Sequence, residues 1–162
     1  MNSNRVAFLD AIAWSEGTEK VAGSDRGYDV CVGNGLFPRL ANGKPDYREH
    51  PHPKIWIPRI KDFSTAAGRY QLLYRYWVDY VAQLKLFGFG PDVQDAIALA
   101  QLRECHALAA IDDGEFDVAV GLAASRWASF PGAGYKQREN RIADLRAVYK
   151  RAGGMLAVAR AA

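Results

Sequence analysis

Residues 4–17 read NRVAFLDAIAWSEG, and the periodicity of this stretch sets the fold class. Val6, Leu9, Ile12, Ala13 and Glu16 recur at spacings of three and four, so they share one face of a helix. Asn4 is the expected N-cap and Gly17 the expected stop. This phase places Glu16 in the last turn, on the apolar side. An anion there is poorly placed, because the C-terminal end of a helix favours cations. Two readings fit: a solvated carboxylate at a frayed end, or a working acid. Partial burial raises the pKa of an unpaired carboxylate. A carboxylic acid still protonated near neutral pH is what glycosidic bond cleavage needs to protonate the leaving oxygen.

Outward from this helix the period changes. In YDVCVGNGLF at 28–37, Tyr28, Val30 and Val32 alternate with Asp29 and Cys31, and GNG supplies a turn, which predicts a hairpin. Residues 38–63 hold five prolines and several charges, so an irregular surface segment is expected. Its aromatics, Tyr47 and Trp56, suit a binding lip. Leu73, Tyr76, Trp77, Tyr80, Val81 and Leu84 form a helical stripe that predicts core packing. Pro91 opens a further helix to about Cys105. IDDGEF at 111–116 reads as a loop. Phe116, Val120, Ala123 and Trp127 predict another helix, SFPGAGY at 129–135 is irregular, and a last helix is expected over about 137–151. The tail from Met155 is weakly patterned and expected to be loosely held. The whole reads as one α+β domain over 1–162, mostly helical with a small β-hairpin.

The bulk numbers narrow the class. The chain has 162 residues, 49% apolar and 24% charged, the composition of a globular domain with a core of its own. A net charge of +3 suits an anionic partner without selecting one, and the basic residues are scattered, so no nucleic-acid footprint is present. Two cysteines, Cys31 and Cys105, are too few for a disulfide scaffold and are expected as buried free thiols, with a bridge between them left open because sequence does not fix their distance. Asp10 interrupts the first apolar stretch, so it does not read as a signal peptide. No window approaches the ~20 apolar residues of a membrane span. Synthesis in the cytoplasm is expected, with any extracytoplasmic target reached by another route.

Other chemistries fit less well. A conventional glycosidase needs a second carboxylate. Asp29 is the best candidate, against a reading as a solvent-facing strand residue, and Asp25 and Glu19 are poorer ones. His50, His52 and His106 lack metal-ligand spacing, so no metal or cofactor is expected. Ser15 has no recognisable histidine partner, and GNG and GFG lack a phosphate-loop lysine. Trp56 and Tyr135 fall in expected loops, where an aromatic ring suits a pyranose face.

Three blocks together are specific: FLDAIAWSEGT at 8–18, STAAGRYQLL at 64–73 and WASFPGAGYKQ at 127–137. GYDVCVG at 27–33 and QDAIALAQLRE at 94–104 fall between them in order. The chain resembles the phage lambda endolysin family, the lambda lysozymes, from about residue 5 to 154. Residues 38–62 match least.

The resemblance implies a lysozyme-like fold with a cleft between two lobes. It implies a peptidoglycan lytic transglycosylase that cuts between N-acetylmuramic acid and N-acetylglucosamine and leaves 1,6-anhydromuramic acid. The family's single catalytic glutamate falls on Glu16. Tyr70 and Gln71 would orient substrate, and Gly68 would permit close backbone approach. Ser129, Tyr135 and Gln137 would face sugar, Trp127 would anchor their loop from below, and Trp56 would belong to the other lip. Asp29 stays as a further substrate contact. The implied partners are peptidoglycan glycan strands and a holin-type permeabilising protein, with the enzyme acting on periplasmic wall as a monomer. A hydrolytic muramidase using Asp29 and a noncatalytic wall-binding module are the alternatives.

Overall fold

A computed structural model describes residues 2–58, 61–134 and 139–157. Two compact units are present. One comprises Met1–Glu16 with Ala98–Ala162, the other Gly17–Ile97.

The first unit is helical. It holds α1 (Ser3–Glu16), the end of α3 (Pro91–Glu104), α4 (Ala107–Asp112), α5 (Phe116–Ala123) and α6 (Ile142–Arg151). α1 packs against α4 and α6, and α4 against α5. Phe8 has no exposed surface, and edge-on contacts join it to Phe116 at 5.7 Å and Phe130 at 6.0 Å. Tyr149 of α6 closes this cluster against Phe116. Rings in such geometries contribute beyond the area they bury.

α1 differs from its sequence reading in two ways. Ala7, Phe8, Leu9, Ala11, Ile12 and Ala13 are all buried, whereas Val6 is exposed, so this is an interior helix rather than a one-faced one. The cap is Asn2, whose Oδ1 accepts the Asn4 N–H at 2.9 Å. Asn4 itself lies inside the helix and is buried, its Oδ1 accepting the Met155 N–H at 2.8 Å. Arg5 adds a forked pair of bonds to Asp112 at 2.7 and 2.5 Å.

The expected loop at 111–116 is partly helical, because α4 runs to Asp112 before Gly114 turns the chain. The tail is held through Ala157: Tyr149 donates to the Met155 carbonyl at 3.2 Å, and the Ala157 N–H donates to Gly114 at 2.9 Å. Backbone bonds of this kind leave no periodic signature in sequence. α6 starts at Ile142, later than expected.

The second unit carries both small sheets. β1 (Val30–Cys31) pairs antiparallel with β2 (Gly35–Leu36) around the turn Val32–Asn34, which is the expected hairpin in shorter form. β3 (Ile55–Ile57) pairs with β4 (Asp62–Ser64), with Trp56 opposite Phe63. This second hairpin was hidden by the proline-rich composition around it. Phe37 stacks on Phe89 at 6.0 Å, and His50 sits 4.6 Å from Phe89, forming the core beneath. α2 (Tyr74–Leu84) buries fewer rings than its stripe predicts: Tyr80 is buried but Tyr76 is exposed. Trp77 is half-buried and donates its indole N–H to Gly88 at 3.1 Å. Cys31 and Cys105 are free thiols.

Candidate active site

Glu16 ends α1, and Gly17 turns the chain away with φ +75°, a conformation that glycine adopts at little cost. The carboxylate is half-buried. The Ser129 hydroxyl donates to its Oε1 at 2.6 Å. Burial pushes the Glu16 pKa above its usual value, and the Ser129 bond partly opposes this by favouring the charged form. The outcome is a carboxyl group that keeps its proton to higher pH than an exposed glutamate does.

Behind Ser129 lies a polar cluster that sequence reasoning missed. The Ser15 hydroxyl donates to Ser129 Oγ at 2.7 Å. Asn140 Nδ2 reaches Ser15 Oγ at 3.0 Å, the Ser129 carbonyl at 3.1 Å and the Ser15 carbonyl at 3.2 Å. Asn140 stands 125 positions from Ser15, and no local pattern signals such a pair.

The residues expected around a substrate divide between the two units. Ser129 accompanies Glu16 in the first, and Trp127 is buried beside Phe130, as an anchor of its loop should be. Tyr135 and Gln137 lie outside the described residues.

In the second unit Asp29 has no exposed surface. Arg39 lies 2.8 Å from its Oδ2, and the Asp25 N–H donates to its Oδ1 at 2.6 Å. A carboxylate held this way neither faces solvent, as the strand reading had it, nor offers a free oxygen to a sugar. Tyr70 is buried too, and its hydroxyl donates to Asp95 at 2.6 Å, beside Tyr28 on the same oxygen at 2.9 Å. Gln71 Nε2 donates back to the Gly68 carbonyl at 3.0 Å. In this conformation both residues hold the turn itself.

Gly68 does permit close approach, but to Gln94: a Cβ there would stand 2.3 Å from the Gln94 side-chain oxygen. Gln94 is a buried staple. It accepts the Arg69 N–H at 2.8 Å and donates to the Phe89 and Tyr28 carbonyls at 2.8 and 2.9 Å. Trp56 on β3 is half exposed and stands edge-on to Phe63 at 5.2 Å. Such paired exposed rings can stack on an apolar sugar face.

The HPHP loop is not a ligand pair. His50 is buried, its Nε2–H donates to the Leu72 carbonyl at 2.9 Å, and its Nδ1 accepts the His52 N–H at 3.1 Å. Burial holds its pKa down to about 4. Among the described residues no group of three or more His, Cys, Asp or Glu side chains could hold a metal ion.

An interior helix delivering one half-buried carboxyl group, in a chain with two small hairpins, is a lysozyme-like arrangement. Comparison with known proteins agrees. The family model described as Endolysin matches residues 6–156. The endolysin of Escherichia phage lambda is 46% identical over 157 residues, 95% of this chain and 94% of that protein. The endolysin of Escherichia phage P2 is 42% identical, with 95% of each chain covered. A solved structure of bacteriophage lambda lysozyme complexed with a chitohexasaccharide superimposes with a TM-score of 0.88 at 45% identity, covering 96% of this chain and 97% of that one. A second lambda lysozyme structure gives 0.85 at 43% identity, with the same coverage. The chain belongs to the endolysin family, lysozyme-like phage enzymes that lyse peptidoglycan.

Proposed function

We propose that this endolysin is a lytic transglycosylase, with Glu16 acting first as general acid and then as general base. The Glu16 proton passes to the glycosidic oxygen between N-acetylmuramic acid and N-acetylglucosamine as the C1–O bond breaks. The resulting carboxylate takes the proton of the muramic C6 hydroxyl while that oxygen bonds C1, closing the 1,6-anhydro ring. One carboxyl group serves both steps, as microscopic reversibility allows. The intramolecular attack gains from proximity and requires no positioned water.

The observation that carries this reading is the state of Asp29. A hydrolytic muramidase built on two carboxylates needs its second one accessible, and Asp29 is fully buried against Arg39. The saccharide bound to lambda lysozyme supports a glycan strand as the substrate class. The expected digest of purified peptidoglycan carries anhydromuramic ends. A rise in reducing ends matching the number of cuts would overturn the proposal.

The same reading makes the enzyme a monomer synthesised in the host cytoplasm, which meets periplasmic peptidoglycan once a holin-type partner has opened the membrane. Residues 3–16 belong to the folded core and carry Glu16, which supports their retention in the working enzyme. No helix among the described residues is long and apolar enough to cross a membrane. Expression without a permeabilising partner should leave cells intact, and spontaneous lysis would contradict this route.

A further inference from the structure

Glu16 is reached by an ordered series of hydrogen bonds that starts at an amide nitrogen, which only donates. We propose that Asn140 is a positioning residue for Glu16: through Ser15 and Ser129 it directs a donor at Oε1 and leaves Oε2 to carry the catalytic proton. The inference rests on the proposed acid–base role of Glu16.

The direction follows from which atoms can donate. Asn140 Nδ2 faces two backbone carbonyls, of Ser15 and Ser129, and a carbonyl only accepts. Those contacts assign the nitrogen side of the amide without ambiguity. Nδ2 can only donate, so its contact with Ser15 Oγ at 3.0 Å is a donation too, one of its two hydrogens being shared between Ser15 Oγ and a carbonyl. Ser15 is left with one hydroxyl hydrogen, which points to Ser129 Oγ at 2.7 Å. Ser129 in turn has one hydrogen, and it goes to Glu16 Oε1 at 2.6 Å. An oxygen accepting so short a bond is not the one that holds a proton, so the acidic hydrogen sits on Oε2. After transfer, the same Ser129 bond stabilises the carboxylate that must next act as base.

Asn140 also closes the segment on which Ser129 lies. Its own N–H donates to the Ser129 carbonyl at 2.9 Å. Beside it, the Glu139 carboxylate accepts the N–H groups of Gly132 and Gly134 at 2.8 and 3.0 Å. Those two amides take up the Glu139 carboxylate. Burial and the Ser129 bond account for the displacement of Glu16.

The test separates the relay from the closure. Ser15→Ala removes the middle hydroxyl and leaves the Asn140 bonds to the Ser129 carbonyl in place. Asn140→Ala removes both, and Ser15→Thr keeps a hydroxyl at the middle position as rescue. The readouts are kcat, KM and the pH profile of kcat/KM on purified peptidoglycan, with melting temperature measured alongside.

Ser15→Ala should lower kcat roughly tenfold with KM little changed, the scale of a hydrogen bond to a charged group. It should also move the alkaline limb of the profile to higher pH, because a less stabilised carboxylate holds its proton longer. Asn140→Ala should do both, with a lower melting temperature, and Ser15→Thr should return kcat and the alkaline limb towards wild type. A Ser15→Ala enzyme with wild-type kcat and an unmoved alkaline limb overturns the proposal. Glu16→Gln, run in parallel, reports on the underlying reading: if it stays active, that reading fails, whereas an inactive Glu16→Gln beside a normal Ser15→Ala sinks the relay alone.

Discussion

Glu16 and Asp29 are both carboxylates withdrawn from solvent, one at the end of α1 and the other beside β1, but their surroundings differ in kind. Around Glu16 the described residues supply one hydroxyl hydrogen, from Ser129, and no ion pair. Around Asp29 they supply a guanidinium and a backbone N–H, and no surface is left exposed. Burial without a counter-charge makes a carboxyl group hold its proton. Burial against a cation commits its oxygens to the fold, and removing either partner then leaves the other stranded. The first environment suits proton transfer and the second suits architecture, although sequence offered both residues as candidates for one site.

The sharpest way to break this contrast is to remove each carboxylate in turn. Glu16→Gln should lower turbidity clearance of permeabilised Gram-negative cells by more than about 100-fold, since general acid–base catalysis alone contributes about 10²–10⁴. Its stability should hold or rise. A carboxyl whose folded pKa is raised loses stability as pH climbs from its unfolded value, 4.5, through the folded one, and glutamine removes that cost at neutral pH. A cooperative melt with a lower midpoint at neutral pH would contradict this.

Asp29→Asn should do the reverse. Breaking the pair with Arg39 should cost about 2–3 kcal/mol of stability, discounted because the Arg39 side chain is one-third exposed. Activity per folded molecule should stay within a few-fold of wild type. Denaturant unfolding together with clearance assays would check both halves, and a large loss of activity with no loss of stability would give Asp29 a catalytic role after all.

His50 extends the comparison to a buried base. Its folded pKa of about 4 lies below the unfolded 6.5, so the unfolded chain binds more protons in that window. Stability should fall as pH drops from about 6.5 to about 4 and flatten below. His50→Gln should be less stable at neutral pH and lose less over that window, as thermal melts across the range would show. The smallest effect is expected at Trp56. Trp56→Ala removes an exposed ring and should raise KM several-fold with kcat nearly unchanged, the scale of one aromatic contact. An unchanged KM would remove Trp56 from the substrate contacts.

Much of this was legible in the chain. Helical phase alone put Glu16 at the end of α1, and the GNG turn marked the first hairpin. The illegible parts have physical reasons. β3 and β4 are three residues each and sit among prolines, too short for alternation to register. Asp29 and Tyr70 looked available because sequence does not reveal that Arg39 and Asp95 consume their polar atoms. Asn140 and Gln94 act through contacts far along the chain, at separations where a lone amide carries no signal.

The central claim is that a sugar hydroxyl, and not water, completes the bond that Glu16 loosens. Digestion of purified peptidoglycan in heavy-oxygen water, followed by mass spectrometry of the fragments, tests it directly. Transglycosylation predicts fragments lighter than the hydrolytic product by one water and free of heavy oxygen at the new muramic end. Reducing muramic ends carrying one heavy oxygen per cut would contradict the account.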